Sequence, residues 1–206
     1  GKKAAVVALN CETDFVAKNE NFIAFTKKIL DKAFELMPEN IDALLAAEID
    51  GRAISEHISE QTGVIGEKIE LSFYDKIAAE DTVAYIHQGN KLASIVGFSK
   101  PGDYQLKRDI AMQVASMAPI AVDKEDVPQD VVEHELVIGR EKAREEGKPE
   151  NMLDKIAEGR LGKFFQEATL LNQIFVKDGK ISVSDYIKSN DKELCVTSFV
   201  RYTLNV

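Results

Sequence analysis

The sequence predicts an α+β fold. Two similar subdomains, each with a mostly antiparallel sheet and packed helices, carry one projecting antiparallel helical hairpin. Three observations point there. An apolar, strand-like pattern followed by a loop and an amphipathic helix occurs twice, opening at KKAAVVALN (2–10) and at KLASIVGFS (91–99). Strand-like segments return after each helical stretch. Between Pro128 and Phe165, two charged helical runs flank Glu146-Gly147-Lys148-Pro149. A short Gly/Pro turn between amphipathic helices favours an antiparallel pair. The expected layout is 1–89 for the first subdomain, 90–127 with 166–206 for the second, and 128–165 for a coiled-coil-like insertion.

Each element has a local reason. KKAAVVALN is β-branched and apolar and reads as a buried strand. From Asn19, the residues Phe22, Phe25, Ile29 and Ala33 recur on one helix face. Asn19 suits its cap and Glu20 its first turn. Pro38 and Asn40 end it. DALLAAEI (42–49) and AISEHISEQ (53–61) read as helical pieces. EKIELSFYDKIA (67–78), DTVAYIHQ (81–88) and KLASIVGFS (91–99) read as strands, and Gln88-Gly89-Asn90 joins the last two as a hairpin. A loop with Pro101 and Gly102 precedes a helix on Leu106, Ile110, Val114 and Met117. In the insertion, Val132, Leu136, Gly139 and Ala143 share one helix face, and Leu153, Ala157, Leu161 and Phe164 share another. ELCVTSFVRYTLNV (193–206) reads as the closing strand.

A chain of 206 residues allows one or two domains and a sizeable core. The formal net charge of −9 argues against direct nucleic-acid binding. No stretch approaches the ~18 apolar residues of a membrane span. The start lacks the pattern of a secretory signal, because its apolar run is short and strand-like. A cytoplasmic protein is expected. Cys11 and Cys195 read most simply as free thiols, with a disulfide as the alternative. The oligomeric state stays open, a homodimer included.

Cofactor chemistry leaves no trace. GVIGEK and GRLGK lack the spacing and hydroxyl of a phosphate-binding loop. There is no G-x-G-x-x-G and no C-x-x-C. His57, His87 and His134 sit in separate segments without a second ligand at metal spacing, which argues against zinc. A Cys11/His87 nucleophile pair has no local support.

One stretch, LNCETDFVAKNENF (9–22), stands apart. It places Phe15 and Val16 in a short polar connection. From spacing alone, Phe15 reads more readily as core than as contact surface, and Asp14 as a helix-start residue beside Thr13. This stretch resembles the N-C-x-T-D-F-V signature of elongation factor Ts, the nucleotide-exchange factor for elongation factor Tu. GVIGEKI (63–69), YIHQG (85–89), DIAMQVAS (109–116), EGRLGKFFQE (158–167), QIFV (173–176) and VTSFVRY (196–202) follow in the family's order.

The resemblance implies the two-subdomain core with its hairpin and the absence of the family's small N-terminal helical module and short C-terminal module. It implies a translation factor that acts by protein–protein interaction, not an enzyme. Such a factor has no cofactor of its own and acts on GDP and Mg²⁺ held by elongation factor Tu. It carries partner contacts onto Asp14 and Phe15, with Thr13 and Val16 around them. It carries further contacts onto Ile65, Gly66, His87, Val176 and Lys177, although the family often has an apolar residue where Lys177 stands. Two other readings compete: a binding scaffold or chaperone-like module, and a small thiol enzyme using Cys11.

Overall fold

A computed structural model describes residues 1–204. The element order is β1 (Lys3–Asn10), α1 (Asp14–Ala17), α2 (Glu20–Leu36), α3 (Ile41–Ala46), β2 (Glu48–Ile49), β3 (Arg52–Ala53), α4 (Ile54–Ile65), β4 (Glu70–Ala78), β5 (Asp81–Ile86), β6 (Leu92–Phe98), α5 (Tyr104–Met117), α6 (Gln129–Glu145), α7 (Leu153–Ala168), α8 (Val183–Asn190) and β7 (Val196–Thr203). The sheets are antiparallel: β1 with β4, β2 with β3, and β5-β6-β7. This is the expected α+β class. Positions 205–206 of the expected last strand lie outside the described residues.

The apolar continuity of β1 follows from its two covered faces. Ala4 and Val6 pack with Ile77, Ile95 and Val200 between the two larger sheets. Ala5, Val7 and Leu9 turn to the helical side, against Phe22, Ile29, Leu44, Ile54 and Leu71. The register slips between Ala8 and Leu9, which face Phe73 and Leu71, so Ser72 is the extra residue of a bulge. The sheets come close at Gly97, where a Cβ would lie 3.0 Å from Ile77 Cγ2 and 2.8 Å from Thr197 Oγ1.

Several helices begin where a side chain meets their free backbone amides. Asn19 Oδ1 accepts from the Asn21 and Phe22 amides and caps α2. Met37, at φ 47°, ends that helix. Asp103 caps α5 through the Leu106 amide at 2.7 Å. Ser182 caps α8 through the Asp185 amide.

The two halves share a plan. In each, the opening strand is paired by a much later closing strand: β1 by β4, and β6 by β7. β5 pairs with β6 across Gln88-Gly89-Asn90, so the 89/90 position lies inside a hairpin. Val83 of β5 packs into the core of the second half, with Val96, Phe98, Ile110, Leu170 and Val183.

Some local expectations change. The segment 42–49 is helical only to Ala46, because Glu48–Ile49 pairs back on Arg52–Ala53. Asp50 and Gly51, at φ 53° and 80°, make the turn, and Asp-Gly is a strong two-residue hairpin signal. α4 extends past residue 61 to Ile65, and β4 starts at Glu70 rather than 67.

α6 and α7 pack against each other around Gly139, where a Cβ would lie 3.0 Å from Ala157 Cα. Ala143, Leu153 and Ala157 are buried there. Arg140–Asp154 at 2.5 Å and Arg144–Glu150 at 2.8 Å pair residues whose numbers run in opposite senses, so the two helices are antiparallel. Among the described residues, no helix is long and apolar enough to cross a membrane.

Candidate functional site

The site grows from the end of β1. Thr13 takes extended backbone angles, and its Oγ1 accepts the Val16 amide at 3.4 Å, which starts α1. The helix lasts one turn before Asn19 caps α2. Successive side chains on a helix point about 100° apart. Val16 therefore turns to the core of the first half, packing with Phe22 and Ile65, while its neighbour Phe15 points out. Phe15 is 90% exposed, the most exposed of the large apolar side chains among the described residues.

A second segment meets this one. α4 ends at Gly66, which takes φ 77° and donates its amide to Thr62 O. The left-handed turn favours glycine because a Cβ would strain it. The next residue, Glu67, then reaches back to the connection after β1. Its Oε2 accepts the Glu12 and Thr13 amides, each at 3.0 Å. Its Oε1 accepts the Thr13 hydroxyl at 2.5 Å. The hydroxyl and the two amides hold the Glu67 carboxyl below the usual range, against an opposing effect of burial.

An open groove of about 400 Å³ lies between the two segments. Phe15, Val16, Phe22, Val64 and Ile65 supply its apolar lining, and Asn19, Asn21 and Gln61 its polar edge. Val64 is 76% exposed.

Asp14 pairs with Lys91 at 3.2 Å; Asp14 is exposed and Lys91 half-buried. Lys91 follows the turn that carries His87, so this contact brings the β5–β6 turn beside α1. His87 is exposed, and its Nδ1 lies 2.9 Å from the Tyr85 hydroxyl.

Val176 and Lys177 lie elsewhere, against α5. The Val176 amide donates to Gln113 Oε1 at 2.8 Å, and its side chain is 46% exposed. Lys177 Nζ donates to Asp109 Oδ1 at 2.7 Å, and Tyr186 donates its hydroxyl to Asp109 Oδ2 at 2.9 Å. Burial pushes the Tyr186 phenol up, and the Asp109 carboxylate adds to it, to about 12. Lys177 thus has a partner within its own chain.

The structure brings Thr13, Asp14, Phe15 and Val16 together with Ile65 and Gly66, and ties the His87 turn to them through Lys91. Sequence reasoning missed Glu67, Val64 and Lys91. Glu67 read as the first residue of a strand, and only its place after a helix-ending Gly hints otherwise.

The thiols are free. Burial pushes the Cys11 thiol up, and the carboxylates of Glu67 and Asp14 push it the same way. That disfavours the thiolate a nucleophile needs. Among the described residues, no three His, Cys, Asp or Glu side chains are grouped to hold a metal.

Comparison with known proteins agrees with the motif order. A protein-family model described as Elongation factor TS matches residues 12–206. Elongation factor Ts of Porphyromonas gingivalis is 51% identical over 203 residues, covering 98% of this chain and 74% of the relative. Elongation factor Ts of Christiangramia forsetii is 43% identical over 204 residues, with 98% and 74% covered. That of Chloroherpeton thalassium is 40% identical over 216 residues, with 98% and 75% covered. At such identity, along nearly the whole chain, this chain belongs to the elongation factor Ts family.

Proposed function

We propose that this chain binds elongation factor Tu carrying GDP and speeds GDP release, so that GTP can load. The observation that carries the reading is Phe15: a large apolar ring, 90% exposed, at the tip of a one-turn helix beside a carboxylate. An isolated ring on a rigid mount is suited to enter a partner. Asp14 would leave Lys91 and place its charge near the partner's Mg²⁺. That ion demands near-octahedral oxygen geometry, so small displacements around it weaken its hold. Shifting the phosphate-binding loop and the magnesium surroundings would then free the nucleotide. The work would be done in the cytoplasm, by binding rather than by bond chemistry.

Magnitudes show that Phe15 needs help. Burying one Phe contributes roughly 1.5–3 kcal/mol. A thousandfold weakening of GDP needs about 4 kcal/mol of coupling. Ile65, Val64 and the His87 turn would supply further contact. By reciprocity, bound GDP weakens the factor's binding by the same factor.

The test is stopped-flow release of fluorescent GDP from elongation factor Tu, with and without this chain. Release should accelerate with the wild-type chain and lose most of that acceleration with Phe15→Ala. Because the ring is exposed, Phe15→Ala should leave thermal stability within about 0.5 kcal/mol. Complex formation with no change in release rate would favour the scaffold reading instead.

A further inference from the structure

We propose that Glu67 is a positioning residue, whose carboxylate clamps the connection after β1 to the end of α4 and so readies Phe15 and Asp14 for a partner. The inference rests on the exchange reading above and names what holds its contact surface in place.

One carboxylate accepts three hydrogen bonds across 54 and 55 residues of sequence: two backbone amides at 3.0 Å and the Thr13 hydroxyl at 2.5 Å. The same hydroxyl accepts the Val16 amide, so the clamp continues directly into the first turn of α1. α1 has only four residues, and a helix that short does not hold itself in water. Phe15 has almost no contact with its own chain and takes its direction from that backbone alone. Gly66 makes the turn that aims Glu67. Ile65, one residue earlier, lines the groove beside Phe15. Glu67 therefore registers the backbone of both segments of the surface, beside the packing of Val16 with Ile65. A connection ordered in advance binds more tightly than one that must be ordered on contact.

The experiment compares wild type, Glu67→Ala and Glu67→Gln in GDP release from elongation factor Tu, titrating the chain to saturation. Glu67→Ala should raise the half-saturating concentration about tenfold, from the lost preorganisation, and leave the plateau rate near wild type. Glu67→Gln keeps a carbonyl for the amides and should recover part of the loss. In an Asp14→Ala/Phe15→Ala background, Glu67→Ala should add nothing. A Glu67→Ala chain that titrates like wild type, or a loss that adds fully to the double variant, overturns the clamp and leaves the exchange reading intact. Should the wild-type chain fail to accelerate release, the exchange reading falls and amide exchange judges the clamp. The Glu12 and Thr13 amides should be protected in wild type and exposed in Glu67→Ala, and equal exchange in the two chains overturns it.

Discussion

Gln113 Nε2 lies 3.2 Å from Gln173 Oε1, and both side chains are fully enclosed. Two amides in an apolar interior are tolerable only if their other polar atoms also find partners. They do. Gln113 donates to Ile174 O and accepts the Val176 amide. Gln173 donates to Met117 O and Glu167 O. The pair fastens the segment around Val176 to α5 and to the end of α7.

Gln113→Leu keeps a similar volume but strands the Val176 amide, the Ile174 carbonyl and one side of Gln173. Stability should fall by about 2–4 kcal/mol, since the enclosed Gln173 oxygen left unpaired costs about 1–3 kcal/mol and the groups of the more exposed Ile174 and Val176 cost less. Urea unfolding followed by circular dichroism measures it. A midpoint equal to wild type would mean that the pair is incidental to the second core.

Acid should weaken the fold through Asp81. Burial pushes its carboxyl up, but hydrogen bonds from Lys107, the Gly1 amino group and the Thr82 amide overcome this and hold it at about 2. The folded value lies below the unfolded one of about 3.9, so the contribution is complete above that pH and vanishes as pH falls through 2. Nearly two units correspond to about 2.5 kcal/mol. Unfolding free energies measured from pH 5 to pH 2 should show this loss in wild type and a shallower slope in Asp81→Asn. Parallel slopes would remove Asp81 from the acid response.

Two glycines of the helical pair should respond in opposite directions. Gly139 faces Ala157 with no room for a Cβ, while Gly159 on α7 has nothing within 4 Å of one. Gly139→Val should cost about 2–3 kcal/mol by forcing the helices apart. Gly159→Ala should gain up to about 1 kcal/mol from helix propensity. Thermal melts of the two variants make the comparison, and a loss at Gly159 equal to that at Gly139 would contradict the packing.

How far the sequence reveals this structure depends on the range of each interaction. α2 and α5 are legible because Phe22, Ile29 and Ala33, or Ile110 and Val114, repeat with the helical period and face a core. β1 and β6 are legible because both faces of each are covered. The β2–β3 turn was hidden by the apolar run Leu44–Ile49, which suits a helix until Asp50-Gly51 reverses the chain. The outward direction of Phe15 is not in its spacing at all; Thr13 sets it by starting α1 where it does. Glu67 escaped because its partners lie far along the chain, and no local pattern marks a carboxylate that reaches back to them. The Lys177–Asp109 pair escaped for the same reason.

The pairing of opening with closing strands also bears on how the chain comes to be folded. β1 waits for a partner some seventy residues downstream, and β6 for one about a hundred residues downstream. Contacts that span such distances form slowly, because so much chain must be gathered first. During synthesis, β5 and β6 emerge together and close as a hairpin, but one edge of β6 stays open until residues 196–203 have been made. An open edge is a template for pairing with another chain. A protein of the translation machinery is thus itself most exposed to misassembly while it is being translated, and the late arrival of β7 ends that exposure.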